Sequence, residues 1–447
     1  MQRVLVTLAG AGHEAALVGG TLRDLLRGRV RGAGDWDVAT EAHPEVVARL
    51  FPGSLWQNRF GTVTVGPDPL IEVTTYRTEG GYRDRRRPDE VRFGATLDED
   101  LARRDFTVNA IAWVPSDPGA GRGVLRDPHG GIDDLRAGVL RAVGEPAERF
   151  AEDALRLVRA VRFAARLGLE IEPRTGEALR AAASSVTAVS GERIRDELLR
   201  MLRSDEPPWG EAPPSTGFRL LEAHGLLEAL LPELAALRGV PQGKPIPGDA
   251  LDHALRAVDA LPPDDAYLRL AGLLHDLGKA TTGAGGHFIG HEEVGAELAR
   301  RVAERLRLPN DQVARIVHLV RQHMFAYTPG WTDAAVRRFV GRVGREHLDD
   351  LFALRAADEL ASRAHEPAAA ELDELRARIG AVTHGVPLET RQLAIDGHDL
   401  QAVLGLPPSP EIGRILAALL EATIEEPSLN NRESLIGLAR EIAARAS

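Results

Sequence analysis

Asp35 and Asp37 stand two residues apart in DWDVAT, shortly after the glycine pair Gly19-Gly20 and the segment TLRDLLR. Residues two apart on a strand project to the same side, so both carboxylates share one face. Two hard oxygen ligands side by side suit Mg²⁺, with triphosphate oxygens completing its shell. Gly19 and Gly20 let the backbone approach an anion closely, and the N–H groups at the start of the following helix point toward it. A lone glycine pair is a turn, and a lone DxD is a solvated strand edge. In this order and spacing the two fit phosphoryl or nucleotidyl transfer.

These residues need a strand over Ala15–Val18, a Gly-Gly turn, a helix over Thr21–Arg27, a loop, and a second strand carrying Asp35, Asp37, Val38 and Ala39. Residues 1 to about 125 alternate short apolar runs with helical patterns, which predicts an α/β arrangement. GTVTVG and PLIEVTTYR read as a hairpin turning at Gly66, Pro67 and Asp68. Glu72 sits on its second strand, between Ile71 and Val73, as a third carboxylate for the metal; an ordinary alternating strand residue explains it equally well. Thr78 to Arg92, TEGGYRDRRRPDEVR, is a charged loop. RRDFTVNA, residues 103 to 110, is expected to open a helix. Arg104 then takes a phosphate, while Asp105 and Asn109, one turn apart, hydrogen-bond ribose hydroxyls.

From Pro146 the pattern is helical. AERFAEDALRLVRAVRFAARLG puts Asp153, Arg156, Arg159, Arg162 and Arg166 at spacings of three and four, on one helical face. Such a stripe is usually solvated. Here an Asp and an Arg one turn apart also offer the acceptor and the donor fork that can read the pairing edge of C or A. PPWGEAPPST and GVPQGKPIPGD break the chain on either side of an apolar helical stretch. A second constellation follows: His253, His275-Asp276 at the end of an apolar helix, His291, His318, His323 and Asp358. Imidazole with carboxylate suits a borderline divalent ion such as Mn²⁺, Ni²⁺ or Fe²⁺. His253, His275, Asp276 and Asp358 are the expected ligands, with His291 and His323 placed to bind phosphate or a second ion. His318 has no assigned role.

The 447 residues are enough for several domains, and 44% hydrophobic with 27% charged residues is a globular balance. No apolar run reaches transmembrane length, and the first eleven residues lack the basic region and cleavage site of a signal peptide. With no cysteine, disulfides and thiolate metal sites are excluded, which is compatible with a cytoplasmic location. The formal charge of −11 counts weakly against nucleic acid, but arginine is clustered, and a local basic surface outweighs the total.

GG-x-x-RD followed by D-x-D, then RRDFTVNA, then Glu152-Asp153-x-x-Arg156, resembles the motif series of the class II tRNA nucleotidyltransferase and bacterial poly(A) polymerase superfamily. His253, His275-Asp276 and Asp358 resemble the H…HD…D pattern of HD-domain phosphohydrolases. SGERIRDELLRML and IDGHDLQAVLGLPPSPEIGRIL are similar to later family segments, a helix supporting the neck and a tail that meets tRNA. The resemblance implies an α+β head, a small mixed sheet with helices, over 1–145. All-α parts follow: a neck and body over 146–240, an HD domain over 245–365 and a tail over 366–447. It implies that Asp35, Asp37 and Glu72 are catalytic, and that Gly19, Gly20, Arg23, Arg104, Asp105, Asn109, Asp153, Arg156, Arg159 and Arg162 bind nucleotide. Partners would be the tRNA 3′ end, CTP and ATP, with Mg²⁺ in the head and a transition metal such as Mn²⁺ or Ni²⁺ in the HD domain. Tyr82, Asp84, Arg86 and Pro88 resemble the family loop associated with adding the terminal adenosine. QNRFGTVTV departs from the basic, His-containing run of bacterial poly(A) polymerases and is closer to the tRNA-maturing branch. CCA addition, CC-only or A-only addition and poly(A) synthesis all stay open at this point, as do a non-enzymatic tRNA-binding role and the oligomeric state.

Overall fold

The computed structural model describes residues 1–29, 36–56, 61–66, 70–80, 90–203, 212–283, 288–362 and 368–446. Asp35 and the loop residues Tyr82, Asp84, Arg86 and Pro88 lie outside the described residues. The chain divides into two compact units. The first comprises Met1–Ala236 with Pro262–Arg269 and Val302–Pro309; the second comprises Leu237–Leu261, Leu270–Arg301 and Asn310–Ser447.

The first unit begins with a mixed α+β fold. Its strands are β1 (Ala15–Val18), β2 (Trp36–Thr40), β3 (Leu55–Trp56), β4 (Thr62–Val65), β5 (Ile71–Thr75), β6 (Arg77–Gly80), β7 (Glu90–Phe93), β8 (Ala112–Asp117) and β9 (Arg122–Arg126). Seven form one sheet in the order β3-β4-β5-β2-β1-β8-β9, and β6 pairs with β7 apart from it. Within the seven-stranded sheet, among the described residues, only β2 and β5 pair in parallel and the other pairs are antiparallel. The hairpin expected around Gly66 is β4–β5, with Thr62 opposite Thr74 and Thr64 opposite Glu72.

Strand periodicity sorts the side chains onto two faces. Val38, Val63 and Val73 pack with Val4, Leu5, Leu8 and Val47 from the helices Gln2–Gly10 and Pro44–Leu50. The opposite face buries Ala16, Val18 and Ala39 with Leu97, Leu101 and Ala110. Asp37 belongs to that second face. The register sets it opposite Glu72 on one side and Val18 on the other.

The two glycines are the first residues of the helix Gly19–Leu26 itself, where the sequence suggested a separate turn. RRDFTVNA does not open a helix. The helix Leu97–Ala102, started by a Thr96–Glu99 capping box, ends before it, and the motif runs through a bridge at Phe106 into a 3₁₀ turn at Thr107–Asn109. Its backbone is claimed elsewhere: Thr107 N–H donates to Arg141 O, and Val143 N–H donates to Asp105 O. The segment carrying the arginine stripe likewise breaks into two helices, Pro146–Glu152 and Leu155–Leu167, with Arg156, Arg159, Arg162 and Arg166 all on the second. Asp153 between them is extended, and its carboxylate accepts from the Leu155 N–H at 3.1 Å.

The second unit is helical. Leu251, Leu255, Val258, Leu273, Ala299, Val317, Leu351 and Leu354 supply part of its core. The segment after residue 390 has a cluster of its own, with Leu400, Ile412, Ile415, Leu419 and Leu435 buried together. Among the described residues no helix is long and apolar enough to cross a membrane.

Candidate functional site

The open end of the second sheet face is a cavity of about 560 Å³. Its wall includes Gly19, Gly20, Arg23, Asp37, Thr62, Glu72, Thr74, Arg77, Arg103, Arg104, Asp105, Asn109, Asp153, Arg156, Arg159 and Phe163. Residues drawn from four separate motifs thus meet in one place. Gly19 has φ +80°, and a Cβ built there would lie 2.2 Å from Asp37 Oδ2. The carboxylate therefore lies directly against the helix start, an approach only glycine permits. A Gly19→Ala variant should lose about 1–3 kcal/mol of stability from backbone strain and displace Asp37. Thermal melting combined with a nucleotide-incorporation assay reads both effects; normal incorporation would contradict the cradle.

Asp105 and Asn109 are fixed by a chain of polar and charged contacts. Asn109 Nδ2 donates to Asp105 Oδ1 at 3.1 Å, and Arg23 Nη1 donates to Asn109 Oδ1 at 2.7 Å. Arg23 also holds Asp24 at 2.8–2.9 Å. Arg159 donates to Asp105 Oδ2 through Nη2 at 2.6 Å and Nε at 2.9 Å. Burial alone would raise the Asp105 carboxyl, but Arg159 and the Asn109 amide hold it down to about 2. Arg104 reaches Asp100 Oδ2 at 3.3 Å and Asn109 O at 3.2 Å, while its buried Nε has no hydrogen-bond partner.

Asp153 and Arg156 both face the cavity, but each has its own holder. Arg193 grips Asp153 with both terminal nitrogens, at 3.1 and 2.7 Å. Arg156 donates to Glu152 Oε2 at 2.6 Å and to the carbonyls of Arg149 and Arg103. Arg162 turns away from the cavity wall, to buried Glu197, and stacks on Phe163 with its guanidinium carbon 4.0 Å from the ring centre. Arg156 and Arg162 are buried, so the stripe is not a solvated face. Arg193 and Glu197 were missed by the sequence reading. Glu197 had a signal: it shares a helical register with Ile194, Leu198 and Met201, and a carboxylate on an apolar face needs a cation.

In the second unit a cavity of about 650 Å³ includes Asp276, His291, His323 and Asp358 in its wall. His253 and His275 are buried beside it. Gly278 lets the His275-Asp276 turn pack onto the next helix, since a Cβ there would lie 2.1 Å from His291 O. His275, His291 and His323 each hydrogen-bond through Nδ1 to the carbonyl three residues earlier, at 2.6, 2.7 and 2.6 Å. With the proton assigned there, each Nε2 presents a lone pair. All three Nε2 atoms are buried without a hydrogen bond, at 3.2, 3.3 and 3.8 Å from Asp276 oxygens. Lone pairs facing a carboxylate repel unless a cation lies between them, so this donor set fits a metal ion. His253 Nε2 lies 3.0 Å from Asp358 Oδ1. The ligand atoms of His253, His275 and Asp358, and those of His275, Asp276 and His323, lie within 4.8 Å of one another. Burial drives the His323 imidazole down to about 3. His318 donates to or accepts nothing at this cluster; its Nε2 meets Val343 O at 2.7 Å. Lys244 and Gln242 also enter the cavity, from a Gly- and Pro-rich loop that carries no site motif.

Three stretches match known families: 15–141 the "Poly A polymerase head domain", 168–237 the "Probable RNA and SrmB- binding site of polymerase A", and 249–363 the "HD domain". The A-adding tRNA nucleotidyltransferase of Deinococcus radiodurans is 38% identical over 435 residues, 91% of each chain. The CC-adding tRNA nucleotidyltransferase of Thermus thermophilus is 38% identical over 430 residues, 92% of this chain and 90% of that one. A solved CCA-adding enzyme of Bacillus stearothermophilus in complex with CTP superposes with a TM-score of 0.71 at 28% identity, covering 100% of this chain and 97% of that one. Nucleotidyltransferase and HD domains are typically metal-dependent, in keeping with the carboxylates and imidazoles gathered here. On this identity and coverage, the chain belongs to the class II tRNA nucleotidyltransferase and poly(A) polymerase superfamily and is a nucleotidyltransferase carrying an HD domain.

Proposed function

We propose that the protein adds CCA, or its terminal A, to tRNA 3′ ends from CTP and ATP without a nucleic-acid template, in the cytoplasm. The observation that carries this reading is the single cavity joining Gly19, Gly20, Asp37, Glu72, Arg104, Asp105, Asn109, Asp153 and Arg156. Asp37 and Glu72, with Asp35, would hold Mg²⁺. Bound there, Mg²⁺ supplies charge neutralisation of the triphosphate and a lower pKa for the attacking hydroxyl. The N–H groups of Gly19 and Gly20, with Arg104 and Arg23, bind the triphosphate. Asp105 and Asn109 take the ribose hydroxyls, held ready by Arg159 and Arg23. Asp153 offers acceptors and Arg156 donors to the base edge, and Arg162 braces their helix through Glu197. In the reaction the RNA 3′ oxygen bonds to the α-phosphorus, the α–β bridge breaks, pyrophosphate leaves, and the hydroxyl proton passes to solvent. A purified chain given tRNA lacking its 3′ end, Mg²⁺, CTP and ATP tests this directly.

Adenosine is part of the predicted product because Tyr82, Asp84, Arg86 and Pro88 are present in the sequence. Deleting Gly80 to Pro88 should abolish A incorporation while C incorporation falls far less. Equal loss of both would count against a role for this loop in adenosine addition. We assign the division of labour to a head over 1–145, a neck and body over 146–240, an HD domain over 245–365 and a tail over 366–447.

The HD domain reads as a second enzyme, a metal-dependent phosphohydrolase. His253, His275, Asp276 and Asp358, with His291 and His323 beside them, would hold Mn²⁺, Ni²⁺ or a similar ion. Such an ion supplies a water of lowered pKa and polarises a phosphoryl oxygen. For a 2′,3′-cyclic phosphate, water oxygen bonds to phosphorus, one ribose–oxygen bond to phosphorus breaks, and that oxygen takes up a proton. Removing the remaining monoester as inorganic phosphate then leaves the free 3′-hydroxyl that the head requires.

A further inference from the structure

Around Asp37 the sheet has two sides: β1 flanks β2 on one, and β5 and then β4 lie on the other. Gly19 and Gly20 continue directly from β1, and Arg23 on the same helix holds Asn109 at 2.7 Å. Arg159 in turn holds Asp105. The residues assigned to the incoming triphosphate and ribose are therefore gathered on the β1 side. In-line displacement puts the attacking oxygen and the leaving pyrophosphate on opposite sides of the α-phosphorus. With the pyrophosphate leaving toward Gly19, the RNA 3′ oxygen arrives over β5 and β4.

Thr74 is two residues beyond Glu72 on β5, so it shares that face and stands in the next row. Thr62 on β4 is its register partner, and the two hydroxyl oxygens are 3.1 Å apart. Both residues are partly buried, and both line the cavity. Two hydroxyls carry two hydrogens and four lone pairs, and their mutual bond uses one of each. The donor hydrogen and the lone pairs left over match a third hydroxyl, itself both donor and acceptor. On a terminal ribose the 2′ oxygen sits on the carbon next to the attacking 3′ oxygen. A group that reads it must adjoin Glu72, as Thr74 does.

We propose that Thr62 and Thr74 check the sugar of the RNA end, hydrogen-bonding its terminal 2′-hydroxyl and selecting ribose over deoxyribose there. This rests on the tRNA-extension reading above and adds a specificity that the incoming-nucleotide residues do not supply. The test uses the full chain with Mg²⁺, ATP and tRNA ending in CC, its last cytidine either ribo or 2′-deoxy. Wild type should prefer the ribo end about tenfold or more in kcat/KM, the effect of one or two hydrogen bonds. Thr62→Val combined with Thr74→Val should shrink that ratio about tenfold, through loss on the ribo end alone. Extension of the deoxy end should be nearly unchanged, which shows that the variant folds and turns over. The missing 2′ oxygen also alters the acidity of its neighbour, but equally in both proteins, so that effect cancels in the comparison. Discrimination between ATP and 2′-deoxyATP, assigned to Asp105 and Asn109, should stay within about twofold of wild type in the variant. A variant that keeps the wild-type ratio defeats the check and leaves the pair as a cross-strand sheet contact. A wild type indifferent to the terminal sugar defeats it as well. Lost ATP selectivity in the variant would overturn it by placing the pair on the incoming nucleotide. A wild-type chain that extends neither tRNA defeats the tRNA-extension reading itself.

Discussion

Replacing Asp37 by alanine should lower nucleotide incorporation on tRNA at least a thousandfold, about 4 kcal/mol of transition-state stabilisation. The size follows from position. Asp37 lies opposite Glu72 in the parallel β2–β5 register and against Gly19 at the start of a helix. On the proposed reading it would join the metal ligands to the triphosphate cradle, since its Oδ2 is the atom nearest to a Cβ built at Gly19. Its side chain is only partly buried, so truncation should change the melting temperature little. Single-turnover incorporation of labelled CTP and ATP, alongside thermal melting, separates lost chemistry from lost fold. Incorporation within tenfold of wild type would remove Asp37 from the metal site.

An equally large effect is expected in the second unit. His275→Ala should abolish opening of a 2′,3′-cyclic phosphate with Mn²⁺ or Ni²⁺ present, by a thousandfold or more. Nucleotide addition should stay within about threefold of wild type, since none of the described head residues contributes to this cluster. His275 belongs to both groups of candidate ligands, and its Nε2 is one of the three buried imidazole nitrogens without a hydrogen bond. Removing it should also weaken Mn²⁺ binding, which calorimetry reads independently of turnover. Retained hydrolysis in His275→Ala would move the chemistry elsewhere. Absence of Mn²⁺ or Ni²⁺ binding in the wild-type chain would leave the HD domain as a helical spacer.

The sequence carried the head well because its signals are local. The strand Ala15–Val18, the strand around Asp37 and the hairpin holding Glu72 follow from apolar alternation and turn residues. Whether Glu72 faces Asp37 depends on strand order, which alternation cannot reveal; the parallel pairing of β2 with β5 decides it. RRDFTVNA was misread as a helix start because its spacing suits one. The bonds to Arg141 and Val143 that keep it extended come from a segment more than thirty residues away. Asp153 interrupts its helix by accepting the Leu155 N–H on its own carboxylate, a local competition that Asp wins readily. Arg193, Glu197 and Lys244 act through tertiary contacts, so only the folded chain reveals them.

The most direct test of nucleotidyl transfer gives the purified chain three tRNA substrates: one ending before CCA, one ending in C and one ending in CC. Mg²⁺, CTP and ATP are supplied, with Asp37→Ala as the control. The expected result is adenosine added to the CC-ended tRNA, growth stopping after that single A, and no extension by the variant. No extension of any substrate by the wild-type chain, or extension that survives in Asp37→Ala, would contradict the account.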